Sequence, residues 1–175
     1  MFEIIDLSVT LGKKMILENI NLHLKEKKIT VLLGKNGSGK STLVNCLNQQ
    51  IPYNGKILFN KQDLKEMKIR ERAKHISVLP QTLSCPHISV KELVSMGRSP
   101  YLDLTQKLRE EDQRRIENAI KKIGIEELSE RALDQLSGGE RQKSFLSMIL
   151  AQDTEMVILD EPTTYMDMIY EAEFL

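Results

Sequence analysis

One short stretch, "GKNGSGKST" at residues 34–42, constrains the fold of this chain more than any other feature of its sequence. It fits the pattern G-x-x-x-x-G-K-[ST] and lies between an apolar run, residues 29–33, and the helix-like segment "STLVNCL". Glycines let the backbone curl so that successive N–H groups point at phosphate oxygens, and a helix start adds partial positive charge. The stretch therefore predicts a nucleotide phosphate site, whereas the competing interpretation is a glycine-rich turn with an exposed lysine.

The residues of this loop have distinct predicted roles. Lys40 is expected to reach the β and γ phosphates of the nucleotide, and the Ser41 hydroxyl is expected to bind Mg²⁺. The other positions are expected to contact phosphate oxygens, chiefly through the backbone: Gly34, Lys35, Asn36, Gly37, Ser38, Gly39 and Thr42.

A second apolar run, "MVILD" at residues 156–160, leads into two adjacent acids, Asp160 and Glu161. This run and residues 29–34 are both typical of strands that are covered on both faces of a parallel sheet. Asp160 at the end of such a strand is expected to hold Mg²⁺ opposite Ser41. Glu161 is expected to orient and deprotonate the water that attacks the γ-phosphate. A loop or helix cap is the alternative for adjacent acids, and the preceding strand and the phosphate loop favour catalysis.

The hydrophobic patterns elsewhere predict an α/β fold. Residues 7–11 and 20–24 alternate apolar with polar side chains, which predicts two half-buried antiparallel strands. An Asn54-Gly55 turn is expected before a short strand, and residues 61–75 form a charged helix candidate. Pro80 is expected to end another strand, "ISVL".

The pattern turns helical from about residue 88 to residue 152. Ile116, Ile120 and Ile123 lie on one stripe, and Gly124 is placed as a helix C-cap. We therefore expect a helical subdomain within the α/β chain.

Composition excludes several classes of protein. The 175 residues include 25 basic and 25 acidic side chains, so no net field attracts nucleic acid or anionic lipid. No run reaches the roughly 18 apolar residues of a membrane span, and the start "MFEIIDLSVT" is not a secretory leader.

Cys46, expected in the core, and Cys85 are interpreted as free thiols of a reducing compartment. Cys85 and His87 lack the second cluster that a zinc site needs. The length favours one domain.

Many enzymes share such a phosphate loop, and the motif that separates them here is "LSGGERQ" at residues 136–142. Ser137, Gly138 and Gly139 open a predicted helix, which gives a second anion-binding helix start with its own hydroxyl and bare amides. Both starts could serve one nucleotide only if the second comes from another subunit.

With these motifs in this order, the chain resembles the ATP-binding subunit of ABC transporters from its first residue to its last. Residues 34–42 match the Walker A loop, "LSGGE" the ABC signature, and "ILDE" the Walker B strand with its catalytic glutamate. Gln81 in "LPQ" matches the Q-loop glutamine, which contacts Mg²⁺ and couples to the membrane subunits. Asp167 matches the D-loop aspartate. The resemblance implies a P-loop NTPase core with an antiparallel β subdomain and an inserted helical subdomain at about residues 88–152.

The resemblance also implies partners. Each ATP, with Mg²⁺, would lie between the Walker A loop of one subunit and residues 137–139 of another in a head-to-tail dimer. That dimer would bind permease subunits, and no nucleic acid, at the cytoplasmic face of the membrane. The segments "VSMGRSPY", "AQDT" and "DEPTTYMD" are similar to the importer branch for iron-siderophore, haem and cobalamin, so a ferric siderophore is the first choice of cargo.

The chain departs from the family in two places. Leu11 stands where an aromatic residue usually stacks on adenine, which would cost about 1 kcal/mol of stacking. A switch histidine usually follows well beyond the D-loop, but His23, His75 and His87 lie elsewhere and the chain ends at residue 175. We therefore expect an incomplete domain with a bare sheet edge, which binds Mg-ATP but hydrolyses it slowly or not at all.

Two alternatives compete with an importer ATPase. One is a non-hydrolysing nucleotide-binding module or inactive remnant, which a turnover measurement would distinguish. The other is an ABC-type ATPase of DNA repair or chromosome structure. Those proteins insert long coiled coils between Walker A and the signature, and only about a hundred ordinary residues lie between them here.

Overall fold

The structure, a computed structural model, describes residues 2–103, 105 and 107–161. The chain divides between Arg72 and Ala73 into two compact units, each with its own sheet. No helix within these described ranges is long and apolar enough to cross a membrane.

The first unit is built on an antiparallel sheet whose strands lie in the order β2-β1-β3-β4. Strands β1 (Phe2–Leu11) and β2 (Lys14–Leu24) pair with Leu7 opposite Ile20, as the alternating patterns predicted. Strands β3 (Asn54–Phe59) and β4 (Gln62–Asp63) follow, and Phe2 pairs with Phe59. Helix α1 (Lys40–Leu47) buries Leu43, Cys46 and Leu47. Cys46 is fully buried, which raises the pKa of its thiol to about 11 and confirms that it is a core residue.

Helix α2 (Ile69–His75) leads into the second unit, where β5 (Ile76–Leu79) pairs in parallel with β6 (Met156–Leu159). Between them lie α3 (Val90–Met96), α4 (Glu110–Ile123) and α5 (Gly138–Gln152). Their apolar faces form one hydrophobic core with Leu79. In α4, Ile116 and Ile120 are buried, and Gly124 ends the helix at a φ of +72°, as the stripe and the glycine predicted.

A buried ion pair links α4 and α5 within the second unit. The Arg98 guanidinium donates to the Asp112 carboxylate, 2.8 Å away in the first turn of α4. It also donates to the carbonyl of Ala151 in the last turn of α5, 2.9 Å away. Both charged side chains are buried. Removing one partner would leave the other charge buried and unpaired, and would lower the stability of the fold by about 3–5 kcal/mol. The pair therefore anchors the end of α5 against the start of α4.

Two local predictions are wrong, and a third, the charged helix, is correct only for part of its range. Residues 29–33 form no strand and are exposed, with Ile29 at 88% and Leu33 at 86%, because they pair with none of the described strands. Asn54 and Gly55 lie inside β3 rather than in a turn, since Gly55 occupies an irregularity of the β1–β3 pairing. The charged helix is confined to α2, because residues 61–63 turn back to pair as β4.

The prediction for residues 156–160 is correct in part. They form β6, but the strand has β5 as its one described neighbour, and Val157 is 47% exposed. Ile158 is buried, and Leu159 on the opposite face packs against the hydrophobic core, so both faces are partly covered and Val157 is the exposed position.

Candidate functional site

The phosphate loop of the first unit is curled at two glycines. Gly37 and Gly39 have φ angles of +79° and +96°, in the left-handed region that glycine adopts without strain. A turn over residues 35–38, which contains Gly37, closes with the Ser38 N–H donating to the Lys35 carbonyl at 3.1 Å. A side chain at position 39 would also place its Cβ 2.7 Å from Leu17 Cδ2 of β2. The loop therefore favours glycine at position 39 mainly for its φ angle, because the crowding atom is the end of a leucine side chain that can move.

The start of α1 presents amide groups that no side chain caps. Gly39 is the N-cap residue and offers no side-chain acceptor, and no acidic residue lies in the first turn. The first N–H groups of a helix have no partner within the helix, and the helix dipole adds partial positive charge there. This end of α1 therefore suits an anion such as phosphate.

Lys40 brings a full positive charge to the same loop. Its Nζ donates to the carbonyl oxygens of Gly34 at 2.7 Å and Lys35 at 3.1 Å, so the ammonium lies over the curled backbone. A phosphate oxygen is a stronger, charge-assisted acceptor than either carbonyl. The exposed Ser41 follows directly. The predicted roles of Lys40 and Ser41 toward phosphate and Mg²⁺ are compatible with these positions, and they stay predictions.

In the second unit, the parallel pairing of β5 and β6 brings Gln81 and Glu161 together. Leu79 pairs with Leu159, and the Asp160 N–H donates to the Leu79 carbonyl at 3.0 Å, so both strands end at the same edge. Two residues further on, the Gln81 side-chain amide donates to the Glu161 carboxylate. The Q-loop glutamine and the expected catalytic carboxylate are thus direct hydrogen-bond partners.

Among the described residues, no group of three His, Cys, Asp or Glu side chains could hold a metal ion. The magnesium site predicted here is of another type, because it uses one hydroxyl, one amide and one carboxylate and leaves the remaining oxygens to phosphate and water. Hard oxygen donors are present at Ser41, Gln81 and Asp160, and their binding of Mg²⁺ stays a prediction.

The signature motif begins α5 with a reciprocal capping box. Ser137 is the N-cap residue, and its N–H donates to Glu140 Oε2 at 2.9 Å while the Glu140 N–H donates to Ser137 Oγ at 3.3 Å. Hydrogen bonds from the Ser137 hydroxyl and amide hold the pKa of Glu140 below its ordinary value of 4.5. Glu140 was not among the predicted site residues, although Ser-x-x-Glu at a helix start is the known signal for such a box.

Leu11 and Asp167 are the two remaining predicted site residues. Leu11 ends β1 opposite Lys14 and is 44% exposed, so its side chain is accessible, while its packing against adenine stays a prediction. Asp167, the expected D-loop aspartate, lies outside the described residues.

Comparison with known families shows to which family the chain belongs. The sequence profile of the family described as ABC transporter matches residues 17–164. The chain belongs to the ABC transporter family. The matched range includes the phosphate loop, Gln81, the signature and Glu161, so the ABC resemblance drawn from these motifs is confirmed.

Curated ABC relatives extend this likeness along nearly the whole chain. The achromobactin transport ATP-binding protein CbrD of Dickeya dadantii is 39% identical over 172 residues, 97% of this chain and 64% of that protein. The iron(3+)-hydroxamate import ATP-binding protein FhuC of Bacillus subtilis is 39% identical over 171 residues, 97% of this chain and 64% of that protein. The chain thus spans about 64% of the length of these ABC relatives.

A solved ABC structure confirms the fold. The protein cbiO1 of Clostridium perfringens, described as part of the ABC transporter complex cbiONQ, superposes with a TM-score of 0.84 at 28% identity. The match covers 99% of this chain and 70% of cbiO1. The predicted α/β ABC fold, with an antiparallel sheet and helical segments, is therefore correct.

Proposed function

We propose that this chain binds Mg-ATP through residues 34–42 and serves as the ATP-binding subunit of an ABC importer. The start of α1 is the observation that supports this proposal, because its amides are uncapped and the Lys40 ammonium lies on the same curled loop. No carboxylate in the first turn opposes an anion there.

Each site residue has a proposed task. Lys40 binds the β and γ phosphates, and the backbone of residues 34–42 surrounds their oxygens. Ser41, Asp160 and Gln81 would hold Mg²⁺, which when bound neutralises charge on the phosphate oxygens. Glu161 orients and deprotonates the attacking water. Ser137, Gly138 and Gly139 contact the triphosphate that is held by a second subunit.

The proposed partners and cargo follow from the family. Head-to-tail dimers of the subunit would bind permease subunits peripherally, at the cytoplasmic face of the membrane. Two relatives are named for transport of achromobactin and of ferric hydroxamate, which supports a metal chelate, in particular a ferric siderophore, as the cargo. A non-hydrolysing nucleotide-binding module remains the second candidate, since the histidine that the family uses at its γ-phosphate has no counterpart among His23, His75 and His87.

Calorimetric titration with Mg-ATP tests the proposed site. Lys40→Ala removes the charge-assisted contact and should weaken binding at least about 10-fold, which corresponds to the roughly 1.5–3 kcal/mol of such hydrogen bonds. Lys35→Ala is the matched control, because it removes an exposed charge from the same loop and keeps the carbonyl that Lys40 contacts. Equal affinity of the wild type and Lys40→Ala would contradict the proposed function.

A further inference from the structure

The two predicted phosphate-binding helix starts differ in whether a side chain caps them. At α1 the N-cap is Gly39, and neither a side-chain cap nor an acidic residue competes with an incoming anion. At α5 the N-cap is Ser137, and Glu140 lies in the first turn as its capping partner. A carboxylate in this position accepts from the N-cap residue Ser137 and balances the partial positive charge that would attract a phosphate.

The hydrogen bonds of the capping box occupy the donors of Ser137. Glu140 Oε2 accepts from the Ser137 hydroxyl at 2.7 Å and from the Ser137 N–H at 2.9 Å. A serine hydroxyl has a single proton to donate. Ser137 therefore cannot donate to a phosphate oxygen while it donates to Glu140.

The charge of Glu140 acts in the same direction. Its pKa lies below the ordinary value because Ser137 hydrogen-bonds to the ionised form, so the carboxylate is negative at neutral pH. A triphosphate that approaches residues 137–139 meets this negative charge as well as an occupied serine. By contrast, a triphosphate that approaches α1 meets Lys40.

We propose that Glu140 is an internal anion that occupies the signature helix start, and that a triphosphate binds there only by displacing it. This inference rests on the proposed function, and it adds an order of events. Nucleotide binds first to the open loop of one subunit, and closure onto the signature of the second subunit requires the hydrogen bond from the Ser137 hydroxyl to Glu140 to break. Glu140 thereby sets how readily the two subunits close on nucleotide.

The chain contains a matched control for this residue. At the start of α3, Ser89 and Glu92 form the same box, with distances from the Ser89 N–H and hydroxyl to Glu92 Oε2 of 2.7 and 2.9 Å. The Glu92 N–H donates back to Ser89 Oγ at 3.1 Å. Glutamine keeps the acceptor oxygen of such a box and removes the charge. Glu140→Gln and Glu92→Gln therefore alter equivalent caps, of which one belongs to the signature.

The experiment follows the amide resonances of residues 137–139 in ¹⁵N-labelled protein during titration with inorganic triphosphate. A Lys40→Ala background suppresses binding at the phosphate loop, and the amide spectrum itself reports that each variant is folded. We expect Glu140→Gln to lower the apparent Kd at these amides about 5-fold, since it removes one charge at a helix start. Glu92→Gln should leave the Kd at the parent value.

Two results would overturn the inference. One is an unchanged Kd in Glu140→Gln, and absence of saturable shifts in that variant counts equally against it. The other is an equal gain from Glu92→Gln. Both readouts concern the start of α5 alone, whereas the calorimetric comparison of Lys40→Ala with the wild type reports on the phosphate loop. Failure of one proposal is therefore distinguishable from failure of the other.

Discussion

Several side chains of the proposed nucleotide site are hydrogen-bonded within the chain. The Lys40 ammonium contacts the carbonyls of its own loop, Gln81 donates to Glu161, and Ser137 donates to Glu140. In the proposed function, each of these groups would exchange a partner within the chain for a ligand atom. Such contacts keep polar groups satisfied, and breaking them would subtract from the free energy of the proposed nucleotide binding.

At the residue scale, the proposed role of Glu161 in catalysis can be tested. We expect a polypeptide of residues 1–175 to bind Mg-ATP but to release phosphate at or near the background rate. The physical reason is that His23, His75 and His87 all precede Glu161 in the sequence, whereas the histidine that the family uses at the γ-phosphate follows the D-loop. His75 and His87 instead contact the carboxylates of Glu155 and Asp134, at 2.7 and 2.8 Å. The measurement is steady-state phosphate release by the wild type and by Glu161→Gln.

Glu155→Gln is the control for that experiment, because Glu155 directly precedes β6, at the end of the strand away from Glu161. All three proteins should show the same low rate. Turnover at an ordinary enzymatic rate that Glu161→Gln abolishes and Glu155→Gln preserves would show that Glu161 needs no histidine in this chain.

At the scale of elements, a bulge in the β1–β3 pairing explains an unusual glycine. Ile5 pairs with Lys56 and Ser8 with Asn54, so Asp6 and Leu7 together lie opposite Gly55. Gly55 has a φ of +88°, and a Cβ there would lie 2.5 Å from the carbonyl oxygens of Asp6 and Ile5. The bulge therefore has no room for a side chain at this position.

Gly55→Ala should consequently destabilise the fold by about 2–4 kcal/mol, the range of severe backbone and packing conflicts. Gly12→Ala is the matched control, because Gly12 also has a positive φ, +62°, but nothing lies within 4 Å of its added Cβ. It should cost about 1–2 kcal/mol from the left-handed conformation alone. Urea unfolding measures both variants, and equal losses would show that the bulge tolerates a side chain.

The same elements show what the sequence could and could not predict. Alternation predicted β1 and β2, and the isoleucine stripe with Gly124 predicted α4, because these signals are local. The Asn54-Gly55 pair is a strong turn signal, but a bulge also needs the positive φ that Gly55 supplies. Burial of residues 29–33 was predicted from apolar character alone, whereas burial of a strand depends on neighbours that a local pattern does not contain.

At the scale of the whole molecule, the site residues are divided between the two units. Residues 34–42 belong to the first, and Gln81, the signature and Glu161 belong to the second. Motif chemistry predicted these residues, since each motif is short and continuous in the sequence. The pairing of Gln81 with Glu161 depends on the register of β5 and β6, 80 residues apart, and no motif specifies it.

Binding of a triphosphate by residues 34–42 can be mapped with a slowly hydrolysed ATP analogue and Mg²⁺, followed in the ¹⁵N amide spectrum of the wild type. We expect the largest saturable shifts at the amides of residues 37–42, where the loop curls and α1 begins. Lys40→Ala should reduce these shifts at the same analogue concentration. Saturable shifts centred elsewhere, or none at residues 34–42, would show that this loop does not bind the triphosphate.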